Sequence, residues 1–374
     1  MEFHHIHFYV DNAENWRNWL IEKLNFEARG QVTHAHTHTE VVSNGLIYFL
    51  LSSPLNLTSP VAKYLQVHPP GAIDVAFQVK NLEAMVDRVE ANGGDLLQPI
   101  QYNSVSSKKF KWAKIKGWNR LEHTLIETAH HPSEKFIPAM PSILQYQPSK
   151  NSLLTIDHVV LNVAAGQLNL AIQFYQNILG LQAQQHFNIQ TYRSGLQSQV
   201  LTDASNSIKF PINQPTSETS QIHEFIQSNQ GSGIQHIALK TRDILDTVTQ
   251  SRQQQLPFLS VESAYYHQLQ QRFSPHQSLL DWDKIQQSNI LIDWQDDQPE
   301  ALLLQIFTEP IFQQPTFFFE LIERRKIKIK HQVIEAQGFG EGNFQALFEA
   351  VEYQQIQRLS KAEDDRQTEN VTFF

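Results

Sequence analysis

The chain has 374 residues, 41% of them hydrophobic and 18% charged, with 29 Lys and Arg against 38 Asp and Glu and no cysteine. That length allows two ordinary domains, each with its own core. The net charge of −9 argues against nucleic acid as the main partner, and the missing cysteine excludes disulfides, thiolate ligands and a thiol nucleophile. No apolar run reaches the length of a membrane span, and MEFHHIHFYV lacks the basic-then-apolar pattern of a signal peptide, so the expectation is a cytoplasmic protein with neither membrane nor nucleic acid as partner.

In chain order, FHHIHFYV reads as a strand and AENWRNWLIEKLNFE as the helix behind it. THAHTHT reads as one strand with His34, His36 and His38 on a single face, either a place for stray metal or an exposed strand. IDVAFQVKNLEAMVDRVEANGG is a strand leading into an amphipathic helix. KFKWAKIKGWNR (109–120) is basic and carries aromatics, and its period-two alternation favours a solvated hairpin over a nucleic-acid patch. EHTLIE is a further strand. The doublets His4–His5 and His130–His131 read as structural. Pro and Ser in PSILQYQPSKNS (141–152) mark a linker.

The pattern then restarts. IDHVVLNV, QLNLAIQFYQNILGLQ, IQHIALKTRDILDTVTQSRQQQ and FFELIE repeat the order of the first half. The expected domains are therefore 1–145 and 152–360. Residues 277–300 read as irregular, with a turn at DDQP before the strand LLLQIF. Phe344, Leu347, Phe348 and Val351 recur at spacings 0, 3, 4 and 7, which predicts an amphipathic helix; past residue 360 the polar composition predicts fraying.

Aligning the halves sets His5 opposite His158, Asp74 opposite His236 and Thr124 opposite Glu320. His158, His236 and Glu320 each sit in a short apolar strand. Two imidazoles and a carboxylate are the ligand set of a non-haem Fe(II) facial triad, which leaves positions open for substrate and O₂. The alternative is three buried polar groups satisfied by hydrogen bonds. The first half keeps at most one or two ligands, so it reads as scaffold.

The strings IDHVVLNV, PIN (211–213), GSGIQHIALKTRDI, LLLQIFTEP, PTFFFELIERR and GFGEGNFQALFEAVE, in this order, resemble the 4-hydroxyphenylpyruvate dioxygenase family. The resemblance implies an α+β vicinal oxygen chelate fold: two domains of paired βαβββ modules forming an open barrel-like sheet, with a C-terminal lid helix. It implies Fe(II) held by His158, His236 and Glu320. Ser198 and Asn213 would hold the substrate's phenol, Gln305 would face the bound keto acid or its ring, and Gln221 and Gln235 would join the polar wall. Phe307, Phe318, Phe339 and Phe344 would box the ring, with Asn343 and Leu347 on the lid helix. The implied reaction takes 4-hydroxyphenylpyruvate and O₂ to homogentisate and CO₂. The rivals are 4-hydroxymandelate synthase and a non-catalytic small-molecule-binding protein of the same fold; a homo-oligomer is compatible with each.

Overall fold

A computed structural model describes the chain except for residues 106–107, 129–133, 139, 141–142, 146–152, 192–193, 273–279, 296–297, 330–331 and 372–374. The first half runs β1 (Glu2–Tyr9), α1 (Ala13–Leu24), β2 (Glu27–His34), β3 (Thr37–Asn44), β4 (Ile47–Pro54), α2 (Pro60–Leu65), β5 (Gly71–Gln78), α3 (Leu82–Ala91), β6 (Leu96–Val105), β7 (Lys108–Lys116) and β8 (Glu122–Thr128). A short hairpin follows, β9 (Glu134–Phe136) with β10 (Ile143–Gln145). The second half repeats the plan with β11 (Leu153–Asn162), α4 (Leu168–Leu179), β12 (Gln182–Gln190), β13 (Gly195–Thr202), β14 (Lys209–Pro215), α5 (Gln221–Ser228), β15 (Gly233–Thr241) and α6 (Ile244–Gln253). It continues through α7 (Ser263–Arg272), α8 (Trp282–Gln287), β16 (Leu291–Gln295), β17 (Gln298–Phe307), β18 (Phe318–Arg324), a hairpin of β19 (Lys326–Ile329) and β20 (Gln332–Glu335), a 3-10 turn at Glu341–Asn343, and α9 (Phe344–Val371).

The duplication is complete at the level of topology. One eight-stranded sheet has the order β2-β3-β4-β1-β5-β8-β7-β6, and the other has β12-β13-β14-β11-β15-β18-β17-β16. Each is a pair of βαβββ modules joined along one antiparallel seam, β1 with β5 and β11 with β15. The helices start alike as well. Asn81 and Asp243 each accept a backbone N–H three residues on, which stabilises a helix start by about 1 kcal/mol.

Alternation along the strands sorts side chains into two environments. Ile6, Phe8, Val75 and Phe77 of the first half meet Val159, Leu161, Ile237 and Phe319 of the second in one continuous apolar cluster. Phe8 packs on Phe317 and Phe49 stacks on Phe319, with ring centroids 5.2 and 5.7 Å apart. Burying each such ring is worth about 1.5–3 kcal/mol. Length had predicted a separate core for each half; the two instead share this one. Gly45 tightens the junction, because at its φ of +59° a Cβ would stand 2.6 Å from the Leu153 carbonyl oxygen.

The opposite faces carry the polar residues, and the register confirms the sequence alignment. His5 pairs with Ala76, as His158 pairs with Ala238. Thr124 faces Lys114 across β7, as Glu320 faces Phe307 across β17. In the first half Asp74 accepts from the Thr124 amide and from Lys114 Nζ at 3.2 Å, and Lys114 also reaches Glu122 at 2.7 Å. A lysine ammonium thus sits among His5, Asp74 and Thr124.

Several local expectations change. THAHTHT is not one strand but the tip of the β2–β3 hairpin, with His34 and His38 on different strands; His38 bonds Glu40, which also holds Arg17. KFKWAKIK keeps the expected alternation and hairpin, β6 with β7, but its strand also pairs with β8, and Lys111 bridges Glu83 and Glu127. The stretch 277–300 contains α8 and β16, while its DDQP turn includes residues outside the described ones. Past residue 360 the backbone stays helical to Val371. His130, His131 and most of the 141–152 linker also lie outside the described residues; its Ile143–Gln145 forms a strand.

Candidate metal centre

His158, His236 and Glu320 lie on β11, β15 and β18, three neighbours in the second sheet. Ala238 is the link: it pairs with His158 on one side and Glu320 on the other, and His236 is two residues back on the same face. His158 Nε2 is 3.2 Å and His236 Nε2 3.6 Å from Glu320 Oε2. The three donor atoms all lie within 4.8 Å of one another, and the residues are buried. Metal bonds of about 2.1 Å at right angles put neighbouring donors about 3 Å apart, so the trio converges as ligands of one ion would.

Each imidazole is held by its other nitrogen. His158 Nδ1 meets Asp157 Oδ1 at 3.0 Å, and His236 Nδ1 meets Gln235 Oε1 at 3.3 Å. An acceptor at Nδ1 leaves the Nε2 lone pair for the metal side. Burial disfavours charge on both rings. At His158 the Glu320 and Asp157 carboxylates outweigh it and raise the pKa. At His236 burial and neighbouring His158 push the pKa well below an ordinary imidazole's. Burial alone would raise the Asp157 carboxyl, yet the Arg324 guanidinium holds it well below the usual carboxylate range. Two imidazoles and a carboxylate converging in this way are a donor set that fits a divalent cation.

The trio opens onto a cavity of about 690 Å³, counting its mouth. Of the residues expected around the substrate, Ser198, Asn213, Gln221, Gln235, Gln305, Phe307, Phe318, Phe339, Phe344 and Leu347 all line it. Ser198 and Asn213 are cross-strand partners on β13 and β14. Asn343 does not line the cavity and precedes α9, in the 3-10 turn. It donates to Gln305 Oε1 at 2.9 Å and accepts from Tyr265. Gln305 in turn donates to Glu320 Oε1 and to the Phe339 carbonyl, both at 3.0 Å. Gly340 permits this: at φ +79° its Cβ would fall 1.9 Å from Gln305 Oε1. Phe318 stacks on the His236 ring at 4.8 Å and Phe339 packs edge-on against His158 at 5.5 Å, so both also brace the imidazoles.

Sequence reasoning missed part of the wall. Phe187 and Ile189 come from β12, where they are the apolar positions of an alternating segment, and Leu196 and Val200 face them from β13. Sequence reasoning also missed Asp157 as the partner of His158 and Arg324 as the partner of Asp157. Among the described residues, Glu320 is the cavity's sole carboxylate, and no Lys or Arg lines it.

Comparison with known proteins agrees with this arrangement. The Glyoxalase/Bleomycin resistance protein/Dioxygenase superfamily profile matches residues 155–281. A 4-hydroxyphenylpyruvate dioxygenase of Caenorhabditis briggsae is 32% identical over 95% of this chain and 92% of its own length. One of Legionella pneumophila is 34% identical over 87% of each chain. The chain belongs to the 4-hydroxyphenylpyruvate dioxygenase family. Its architecture is the α+β vicinal oxygen chelate fold, as the resemblance implied. An uncharacterized protein of Synechocystis sp. is 36% identical over 94% of this chain and 97% of its own. A mutant 4-hydroxymandelate synthase from Streptomyces coelicolor superposes with a TM-score of 0.80 over 95% of this member of the family and 98% of its own chain, at 24% identity, a likeness of fold. Among the described residues no helix is long and apolar enough to cross a membrane.

Proposed function

We propose that this chain is an Fe(II)-dependent 4-hydroxyphenylpyruvate dioxygenase, converting 4-hydroxyphenylpyruvate and O₂ to homogentisate and CO₂. The observation that carries the reading is the charge distribution of the cavity. It has aromatic walls and no Lys or Arg among its described lining residues, so an entering carboxylate finds a counter-charge only at the cation that His158, His236 and Glu320 would hold. Two neutral imidazoles and one carboxylate leave a divalent ion one net positive charge, which suits an anionic 2-oxo acid. When bound, the iron supplies O₂ activation and oxidative decarboxylation.

The chain's own residues do the rest. Gln305 fixes the Glu320 carboxylate, and Gln235 and Asp157 fix the imidazoles. The phenyl ring enters among Phe307, Phe339 and Phe344, where edge-to-face contacts contribute about 0.5–1.5 kcal/mol each beyond burial. Its hydroxyl needs a partner, because leaving it unbonded would cost about 1–3 kcal/mol, and the adjacent Ser198 and Asn213 supply one. Leu347, Phe348 and Val351 of α9 close the apolar side and keep water out.

The deciding experiment is product analysis after reconstitution with Fe(II), O₂ and 4-hydroxyphenylpyruvate. Homogentisate with one equivalent of CO₂ is expected. 4-Hydroxymandelate would move the chain to the synthase reading, and no oxygen uptake with metal bound would make it a binding protein. Phe344 packs edge-on against Phe187, ring centroids 5.0 Å apart, in the cavity wall. Phe344→Ala should therefore raise KM roughly two- to tenfold, equivalent to about 0.5–1.5 kcal/mol, while metal affinity stays at the wild-type value. An unchanged KM in steady-state assays would reject the enclosing role of α9.

A further inference from the structure

The register of β11 slips by one residue between Ile156 and His158, leaving Asp157 opposite no residue of β15. Such a bulge re-aims a side chain that strict alternation would send to the other face. Here it turns the Asp157 carboxylate toward its own neighbour's ring, where Oδ1 meets His158 Nδ1. The same carboxylate takes a two-pronged contact from Arg324, Nε to Oδ2 and Nη2 to Oδ1, both at 2.7 Å. Arg324 is four residues beyond Glu320 on β18, and only 4% of its surface is exposed. Its remaining nitrogen, Nη1, donates to the Ala336 carbonyl at 3.1 Å and the Gly338 carbonyl at 2.9 Å. The next carbonyl along, Phe339, is held by Gln305, which also holds Glu320. Two metal ligands are thus tied by separate hydrogen-bond chains to one loop, and that loop leads directly into α9.

The first half provides an internal control. Its β1 has the same slip, between Phe3 and His5, and the residue left over is His4, whose Nδ1 lies 2.8 Å from His5 Nδ1. By register, the counterpart of Arg324 on β8 is Thr128. The same sheet, bulge and register therefore form without a carboxylate and a guanidinium at these places. The fold does not call for the Asp157–Arg324 pair; the half that carries the ligands does.

We propose that Arg324 is a positioning residue that couples the His158 imidazole, through Asp157, to the Ala336–Gly340 loop, so that metal binding and the seating of α9 stabilise each other. The inference rests on the metal-centre reading. Its physical basis is linkage: if metal binding fixes His158 and thereby Asp157 and Arg324, the loop held by Arg324 is ordered by the metal, and ordering the loop strengthens metal binding by the same factor. A lysine in place of Arg324 keeps a charge for Asp157 but lacks the fork needed to reach both the carboxylate and two carbonyls.

The test uses the full chain with Co(II), whose visible bands report ligand geometry, and hydrogen exchange over residues 336–343. In the wild type, Co(II) should slow exchange across this segment. Arg324→Lys should bind Co(II) about 10–100-fold more weakly, the usual cost of losing a partner behind a metal ligand, with altered bands and no metal-dependent slowing. The double variant Asp157→Asn/Arg324→Gln removes both charges together and should behave likewise, which guards against a fold lost to one unpaired ion. Wild-type affinity and wild-type metal-dependent protection in both variants would overturn the coupling and leave the metal centre intact. Failure of the wild type to bind Co(II) at all would instead strike the metal-centre reading itself.

Discussion

Glu320→Ala should leave a folded protein that neither retains a divalent metal nor consumes O₂ with 4-hydroxyphenylpyruvate. The carboxylate is the single anionic donor of the trio and is 1% exposed. Its removal leaves two neutral imidazoles, which supply neither the charge nor the third position of a facial set. The loss in metal affinity should exceed about 100-fold, the upper end of what a residue behind a ligand commands. Gln305 loses one acceptor but keeps the Phe339 carbonyl, so the overall fold should survive. Metal content after dialysis and circular dichroism separate the two effects. Full activity with iron bound would remove Glu320 from the ligand set.

The second large effect lies in the half that carries no triad. Lys114→Met should cost about 3 kcal/mol of stability at pH 7, the low end of the range for breaking one side of a buried pair, because Asp74 is 1% exposed and would be left charged without its ammonium, while Lys114 itself is 26% exposed. The pH dependence has a definite sign. Burial alone would raise the Asp74 carboxyl; Lys114, His5 and Thr124 together override it and set the pKa well below normal. A depressed carboxylate stabilises the fold above its unfolded pKa, near 3.9, and that contribution is lost as pH falls below this value. In the variant burial regains control, so a proton taken by Asp74, or by His5 beside it, becomes favourable on folding. The gap between variant and wild type should therefore narrow from pH 7 to pH 5 in chemical denaturation. A constant gap would mean the loss came from packing. Lys114→Met combined with Asp74→Leu should recover most of the stability, since an apolar pair of similar volume often equals a buried ion pair.

The contrast between the halves shows which features the sequence makes legible. His158, His236 and Glu320 stand out because each interrupts an apolar strand, and period-two alternation places His236 with Ala238, the residue that pairs with both other ligands. Phe344, Leu347, Phe348 and Val351 carry their helical spacing openly, and all four line the cavity. Asp157 and Arg324 are hidden for a physical reason. Alternation assigns Asp157 to the face opposite His158, and only the extra residue in β11 reverses that; nothing in IDHVV marks where pairing slips. THAHTHT misleads in the other direction, because it turns at Ala35–His36 without the Gly, Pro or Asn that usually announces a hairpin. Lys114 looks like one more solvated lysine, since its role depends on Asp74, forty residues away in sequence and brought near only by the β5–β8–β7 order.

That ammonium differs from a bound ion in one respect. It is made with the chain, one per molecule, whereas an exchangeable ion has to be captured from solution and can be lost again. Scarcity of the metal, or a chelator, would therefore empty the second sheet's site and leave the first half untouched. The emptied half would still share its apolar core with a fully assembled neighbour, a surface against which its strands can stay aligned.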